Sequence, residues 1–425
     1  MKGPGDFGKE ALVNLWSTPI PGDGRRWPTA CPACAAVQCA PGAGRGAIAC
    51  GVCGTELERG VGRSFDAAFA AAGGALLLLF PANVLVFLET DVAGATRQSY
   101  LLSGPLELWR EGWPALAILA AAVLVLFPVA RFALLTLVLG CLRLGRRPAW
   151  LGAAFRWGDG LQVWAMADVG LLALWIAYTR LDATVATRLG AGGACFIGVA
   201  MLTLLARATL NKAAVWRAIA EQPPVDVRAS LVACSACRLL TPAPAARDTC
   251  PRCRAALRGR NPGAVRRAAA LTLAGLLLYV PANLFPMATV PIGLEASSYT
   301  VLEGVRDLFQ ARLFGLGLLV FSASFAIPLL KLAGMSWLLG SVVGRSDRRL
   351  IAKTRLYMVI EEIGRWSMVD PLVITLFVPV IQFNAKLYGR AEPAATAFAG
   401  VVVLTMVAAR LFDPRRLWDV KRGAA

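Results

Sequence analysis

The sequence predicts an all-α polytopic membrane protein made of two tandem four-helix transmembrane modules, each preceded by a four-cysteine segment. Three observations predict it. The chain is 57% hydrophobic and only 16% charged over 425 residues, where soluble globular chains carry about 25% charge. It also repeats itself at an offset of about 200 residues, the mark of a duplicated unit. Cys50 and Cys53 recur as Cys250 and Cys253, Pro81-Ala82-Asn83 as Pro281-Ala282-Asn283, and Pro128 as Pro328. Trp164, Met166 and Asp168 recur as Trp366, Met368 and Asp370, and Trp216 as Trp418. Finally, apolar runs near the roughly 20 residues that cross a bilayer fall four and four. They cover 67–88, 115–142, 162–179 and 191–209, then 267–287, 313–342, 367–386 and 395–412.

In chain order this gives an N-terminal tail and first cysteine segment (1–60), a first module (61–222), a second cysteine segment (223–260), and a second module with a C-terminal tail (261–425). Residues 1–30 hold no apolar stretch of signal-peptide type, so insertion is expected to rely on the first span.

The formal charge of +18 comes from 44 Lys+Arg against 26 Asp+Glu. In a soluble chain that excess would suggest nucleic acid. Here the basic residues fall in short connections, where the positive-inside rule accounts for them and no nucleic-acid partner is expected. Arg143, Arg146 and Arg147 follow the second run; Arg345, Arg348 and Arg349 follow the sixth; Arg415, Arg416, Lys421 and Arg422 follow the last. Both termini and both cysteine segments are therefore expected to be cytoplasmic, with the two modules as parallel repeats. Residues 350–366 are too charged to cross and read as an interfacial helix. On the other side, Tyr100–Leu106 and Tyr299–Val305 match as weakly amphipathic segments. They suit either loop helices that cap the bundle or a docking surface for a partner.

Cys31, Cys34, Cys50 and Cys53 form one pair of CxxC knuckles, and Cys234, Cys237, Cys250 and Cys253 form another. Two knuckles at this separation bring four thiolates into tetrahedral reach, which suits a closed, structural zinc site; iron accepts the same ligands. Gly51 and Gly54 are expected to ease the first ribbon's tight turn. Cys39 is either a spare ligand or a small residue, and Cys141 and Cys195 read as apolar filler. The complete absence of histidine excludes bis-His haem and Cys2His2 metal sites.

Charge within the spans requires a reason, since each such group costs about 2.5–3.5 kcal/mol or more. Arg131 and Lys331 share a repeat position, three residues past Pro128 and Pro328. Such a cation either satisfies a carbonyl freed by the proline or lines a polar cavity. Asp168 and Asp370 begin the third and seventh spans, where the helix dipole stabilises an acid. Asn83 and Asn283 follow helix-bending prolines and are expected to satisfy local backbone. Thr405 matches Thr203 and is a weaker candidate. Lys331 titrates where Arg131 stays charged, so the second module is expected to be the working one, with Lys331 and Asp370 or Asp168 as a protonation-coupled site.

The CxxC ribbon ahead of a four-span module, the Pro-Ala-Asn of its first span, Arg365-Trp366-Ser367-Met368-Val369-Asp370, and the closing Phe412-Asp413-Pro414-Arg415 with Trp418-Asp419 together resemble the paraquat-inducible protein A family. The first module departs from the pattern, with Asn211-Lys212 in place of Asp413-Pro414 and Val163 in place of Arg365. The resemblance implies a lipid-transport subunit of a bacterial inner membrane, not an enzyme. It would pass membrane phospholipid to or from a periplasmic MCE-domain tunnel. With no GxxxxGK[ST] loop, energy is expected from an ion gradient or a separate ATPase. The rival readings are a redox protein whose CxxC pairs serve a quinone, and a scaffold for a periplasmic partner.

Overall fold

The computed structural model describes residues 26–41, 47–59, 64–92, 95–182, 186–223, 225, 231–243, 249–257, 260, 263–292, 295–377 and 390–423. The elements of its two transmembrane modules repeat one for one. In the first module, α1 (Phe65–Val84) leads to strands β5 (Leu88–Val92) and β6 (Ala95–Ser99) and a short helix α2 (Ser103–Arg110). The long α3 (Pro114–Arg143) returns to the first side. There follow α4 (Leu151–Gly160), a 3₁₀ turn, α5 (Ala167–Asp182), strand β7 (Ala186–Leu189), α6 (Ala191–Thr209) and α7 (Lys212–Ile219). The second module runs α8 (Ala264–Leu284), β10 (Ala288–Ile292), β11 (Glu295–Tyr299), α9 (Val301–Gln310) and α10 (Phe314–Val343). It continues with α11 (Leu350–Ile363), the 3₁₀ turn Gly364–Met368, α12 (Val369–Phe377), β12 (Arg390–Ala391), α13 (Pro393–Leu411) and α14 (Arg416–Gly423). The ribbon strands are β1 (Arg26–Ala30), β2 (Val37–Pro41), β3 (Ala47–Ala49) and β4 (Glu56–Arg59), then β8 (Leu231–Ala233) and β9 (Leu240–Pro242).

Among the described residues, 7 helices are long and apolar enough to cross a membrane. They correspond to seven of the expected runs. The eighth, 367–386, is described only as far as Phe377. In the first module β7 follows α5 and pairs with β5, so α1 and α5 both end at the same face. In the second module β12 likewise pairs with β10, so the chain that enters α12 on the ribbon side is next described on the opposite face.

Helices alone do not describe this opposite face. Each module carries a three-stranded antiparallel sheet there, ordered β6-β5-β7 and β11-β10-β12. Its strands are too short and polar for sequence alternation to reveal them, and the third strand of each pairs across a large sequence gap. The matching segments after these sheets fold as α2 and α9; α9 begins with a capping box between Thr300 and Glu303.

Both long helices widen to a π turn just before their proline, at Ala122–Leu126 and Ser322–Ala326. In a π turn residue i bonds to i−5, and Pro128 has no N–H to give to Val123. The amide of Met166, at the break before α5, donates to that carbonyl instead at 3.4 Å. The expected third span, 162–179, corresponds to α5 with the turn before it, and α4 continues the apolar stretch to Leu151–Thr179. Residues 350–366 form α11 and its turn, with Lys353, Thr354 and Tyr357 buried.

Small residues let the helices close. A Cβ on Gly400 of α13 would stand 2.7 Å from Leu278 of α8, the close approach that substitutes for hydrophobic drive within a bilayer. The modules meet through α5 and α12, their equivalent third spans. A Cβ on Gly104 of α2 would lie 1.9 Å from the carbonyl oxygen of Thr375 in α12.

Candidate functional site

Each ribbon brings its four sulfurs within 4.8 Å of one another, all buried. The nearest pairs join opposite knuckles: Cys31 to Cys53 at 3.5 Å and Cys34 to Cys50 at 3.6 Å, Cys234 to Cys253 at 3.6 Å and Cys237 to Cys250 at 3.5 Å. A tetrahedron of Zn–S bonds near 2.3 Å needs S···S separations of about 3.8 Å, so the residues fit a closed four-sulfur metal site. None of the eight is in a disulfide. Every knuckle turns through a left-handed residue just after its second cysteine: Ala35 (φ 57°), Gly54 (φ 73°), Arg238 (φ 60°) and Arg254 (φ 57°). Of the two glycines expected to ease the first ribbon, only Gly54 does so; Gly51 is not in that region. Cys39 stands on β2 with its side chain outside the described set, and Cys141 and Cys195 are half-buried.

The ribbons are exchanged between modules. The buried cysteines of the first share a core with Ala268, Met335, Tyr357, Phe412 and Trp418 of the second module. The second ribbon sits on the first module: a Cβ on Gly152 of α4 would meet the Arg252 carbonyl oxygen at 1.8 Å. The ribbons also touch, Arg238 donating to the carbonyl of Leu57 at 3.0 Å. Glu58 returns the first ribbon to its own module, accepting from Arg217 of α7 at 2.8 Å. In the opposite direction, Arg260 pairs with Asp419 of α14 at 2.7 Å.

The sequence candidates within the spans separate into two groups. Asn83 and Asn283 donate to the carbonyls one turn earlier, Leu79 at 2.7 Å and Tyr279 at 2.8 Å; their amide oxygens are buried without a hydrogen bond. Thr203 and Thr405 bond to Val199 and Val402 of their own helices. These four satisfy local backbone. The second group lies at the ribbon end of the module contact. Lys331, 3% exposed, donates to the carbonyl of Gly364 in the 3₁₀ turn at 3.1 Å; its partner is this turn and not a carbonyl freed by Pro328. Arg131 is 1% exposed, with Nε and Nη1 unpartnered. Asp168 accepts from the Val169 amide at 3.1 Å and binds Arg207 and Arg365. Asp370 is buried in the first turn of α12.

Sequence reasoning gave no role to Ser324, in the π turn, or to Ser367, in the 3₁₀ turn; both are buried with unpartnered hydroxyls. It also missed Arg207 and Glu362, and it noted Arg365 and Ser367 only as part of the motif Arg365–Asp370, with no role for either. A serine in a span looks like small filler, and a lone arginine near a span end reads as snorkelling. The π geometry and the folding of α11 onto α13, neither of which has a sequence signature, decide where these groups point.

Together, fold and sites define a duplicated multi-pass membrane protein that carries on one face two four-cysteine ribbons able to hold a metal ion. No solved structure matches it. The chain belongs to the paraquat-inducible protein A family, whose model matches residues 65–220 and 265–421, one match per module. It is 29% identical over 381 residues (87% of this chain, 90% of the relative) to the intermembrane transport protein PqiA of Escherichia coli strain K12. It is 31% identical over 262 residues, 61% of each chain, to the lipophilic envelope-spanning tunnel protein A of the same organism. A probable intermembrane transport protein of Haemophilus influenzae is 26% identical over 267 residues, 61% of this chain and 64% of its own length.

Proposed function

We propose that this protein is a non-enzymatic inner-membrane subunit of a lipid transport system, exchanging phospholipid with a periplasmic MCE-domain tunnel, with proton coupling at Lys331. The observation that carries the reading is Lys331 itself: an amine at 3% exposure within an apolar bundle, held by one carbonyl. It lies beside the turn that leads to Asp370, in a chain whose relatives are named intermembrane transport proteins. Keeping a charged group there is costly unless it works. The first module holds Arg131, which cannot give up its proton, and serves as scaffold.

Exposed Arg143, Arg146, Arg147, Arg345, Arg348 and Arg349 lie on the ribbon face, which supports a cytoplasmic place for the ribbons and both termini. The closed four-sulfur geometry suits a structural zinc ion that fixes each ribbon; no transport step passes through it. The test is purification in mild detergent followed by mass spectrometry and metal analysis, with lipid exchange measured in reconstituted vesicles. Phospholipid, an MCE-domain protein in fixed ratio and about two zinc ions per chain are expected, one for each closed four-sulfur site. Metal-free protein carrying quinone and no such partner would replace this reading with a redox one.

A further inference from the structure

The two modules match in backbone but not in charge. Asp168, its side chain 2% exposed, holds Nη1 of Arg207 at 2.9 Å and Nη1 of Arg365 at 3.2 Å. Arg207 belongs to the same module as Asp168; Arg365 belongs to the other. Glu362 closes the ring from the exposed side, accepting from Arg207 at 2.9 Å and Arg365 at 3.3 Å. Two acids and two arginines thus form a neutral cluster across the module boundary.

By the repeat, Asp168 matches Asp370, Arg365 matches Val163, and Arg207 matches Ala409. Val163 and Ala409, with Lys331, Glu361, Gly364 and Arg410, line a small cavity beneath Lys331. The places that hold arginines on one side of the pseudo-symmetry therefore hold small apolar residues on the other. The cluster at Asp168 reaches, through Arg365, the module that carries Lys331.

Arg365 lies in the 3₁₀ turn Gly364–Met368, a geometry with weak internal hydrogen bonds. Its neighbour Gly364 receives Lys331 at 3.1 Å. Side chains therefore hold this turn from two directions: Lys331 from within its own module and Asp168 from the other.

We propose that Asp168 is a positioning residue for the second module: by holding Arg365 it fixes the turn whose Gly364 carbonyl receives Lys331. The first module thereby sets the geometry of the buried amine. The contact stands independently of lipid transport; only its functional consequence rests on the reading of Lys331 given above.

Hydrogen–deuterium exchange on the full chain in detergent tests this. Asp168→Asn and Arg365→Gln should each speed exchange over residues 361–370 by about tenfold, as expected when one partner of a buried ion pair is removed. The double variant should be no faster than either single one, because both remove the same contact. Arg207→Gln removes the exposed contact to Glu362 but keeps the Asp168–Arg365 pair, so it should speed exchange over this segment less than Asp168→Asn does, and Asp168→Glu should restore part of the protection. Unchanged exchange at 361–370 in Asp168→Asn would overturn the proposal. So would a uniform rise along both modules, which means general loosening. The expected exchange pattern with normal lipid transfer would sustain the positioning role and remove Lys331 from the transport step.

Discussion

Gly152 and Arg252 approach so closely that a single methyl group on Gly152 would lie 1.8 Å from the Arg252 carbonyl oxygen and 2.9 Å from its carbon. Both clashing atoms are backbone, so no side-chain rotation relieves them. This contact seats the second ribbon on the module that precedes it in sequence. Gly152→Ala should lift that ribbon, costing about 1–3 kcal/mol as an overpacked contact. Limited proteolysis should then cut residues 223–260 faster while the first ribbon keeps its protection. Equal cutting of wild type and variant would show that the docking is not held here.

The exchanged ribbons give metal loss a crossed effect. Cys50→Ser should remove one metal equivalent and loosen the second module around Trp418, whose indole is hydrogen-bonded to Thr354 at 3.1 Å. Cys250→Ser should remove the other equivalent and loosen the first module, where Phe155 and Trp216 pack edge to face with ring centroids 4.7 Å apart. Metal analysis with peptide-level hydrogen exchange checks both. Loosening confined to the module that follows each ribbon in sequence would contradict the exchange.

Lys331 and Arg131 should differ in effect although they share a repeat position. Lys331→Met should lower vesicle lipid transfer by at least about tenfold with metal content retained, since a neutral isostere keeps the packing and removes the titrating group. Arg131→Lys should change transfer little. The reverse ranking would move the working site to the first module.

Glu58 supplies a pH dependence. Burial raises its carboxyl, but the Arg217 hydrogen bonds and charge outweigh this, with smaller help from Asn211, and hold it below its ordinary value of 4.5. A lowered folded value means the contribution to stability is fully present above the unfolded value and is lost as pH falls through the folded one. Contact between the first ribbon and α7 should therefore be constant at neutral pH and weaken below about pH 4. Thermal unfolding followed across pH, with Glu58→Gln as reference, checks this. The variant should lose the acid-dependent part of the decline, and an identical decline in both would dismiss Glu58 as its source.

Much of this architecture is legible in the chain because it follows from periodicity and spacing. The repeat of Pro81 and Pro281, the apolar runs and the CxxC knuckles each specify a local structure without reference to distant residues. The two four-cysteine clusters were legible from spacing alone because a knuckle brings its two cysteines together by itself. The small sheets were not legible, because β7 reaches β5 only after two further helical passes. Nor was the partner of Lys331: Gly364 is 33 residues away and carries no side chain to announce a role.

The sequence by itself determined a duplicated membrane protein, its ribbons with their four-cysteine clusters, and which spans bury charge, since bilayer thickness and thiolate geometry act on short stretches of chain. Only the tertiary structure decided that each ribbon seats on the other's module and that Asp168 belongs to Arg365. Both depend on how two nearly equivalent surfaces meet. In such a contact the few positions where the repeats differ, Arg365 against Val163 and Arg207 against Ala409, settle where charge can be neutralised once the water is gone.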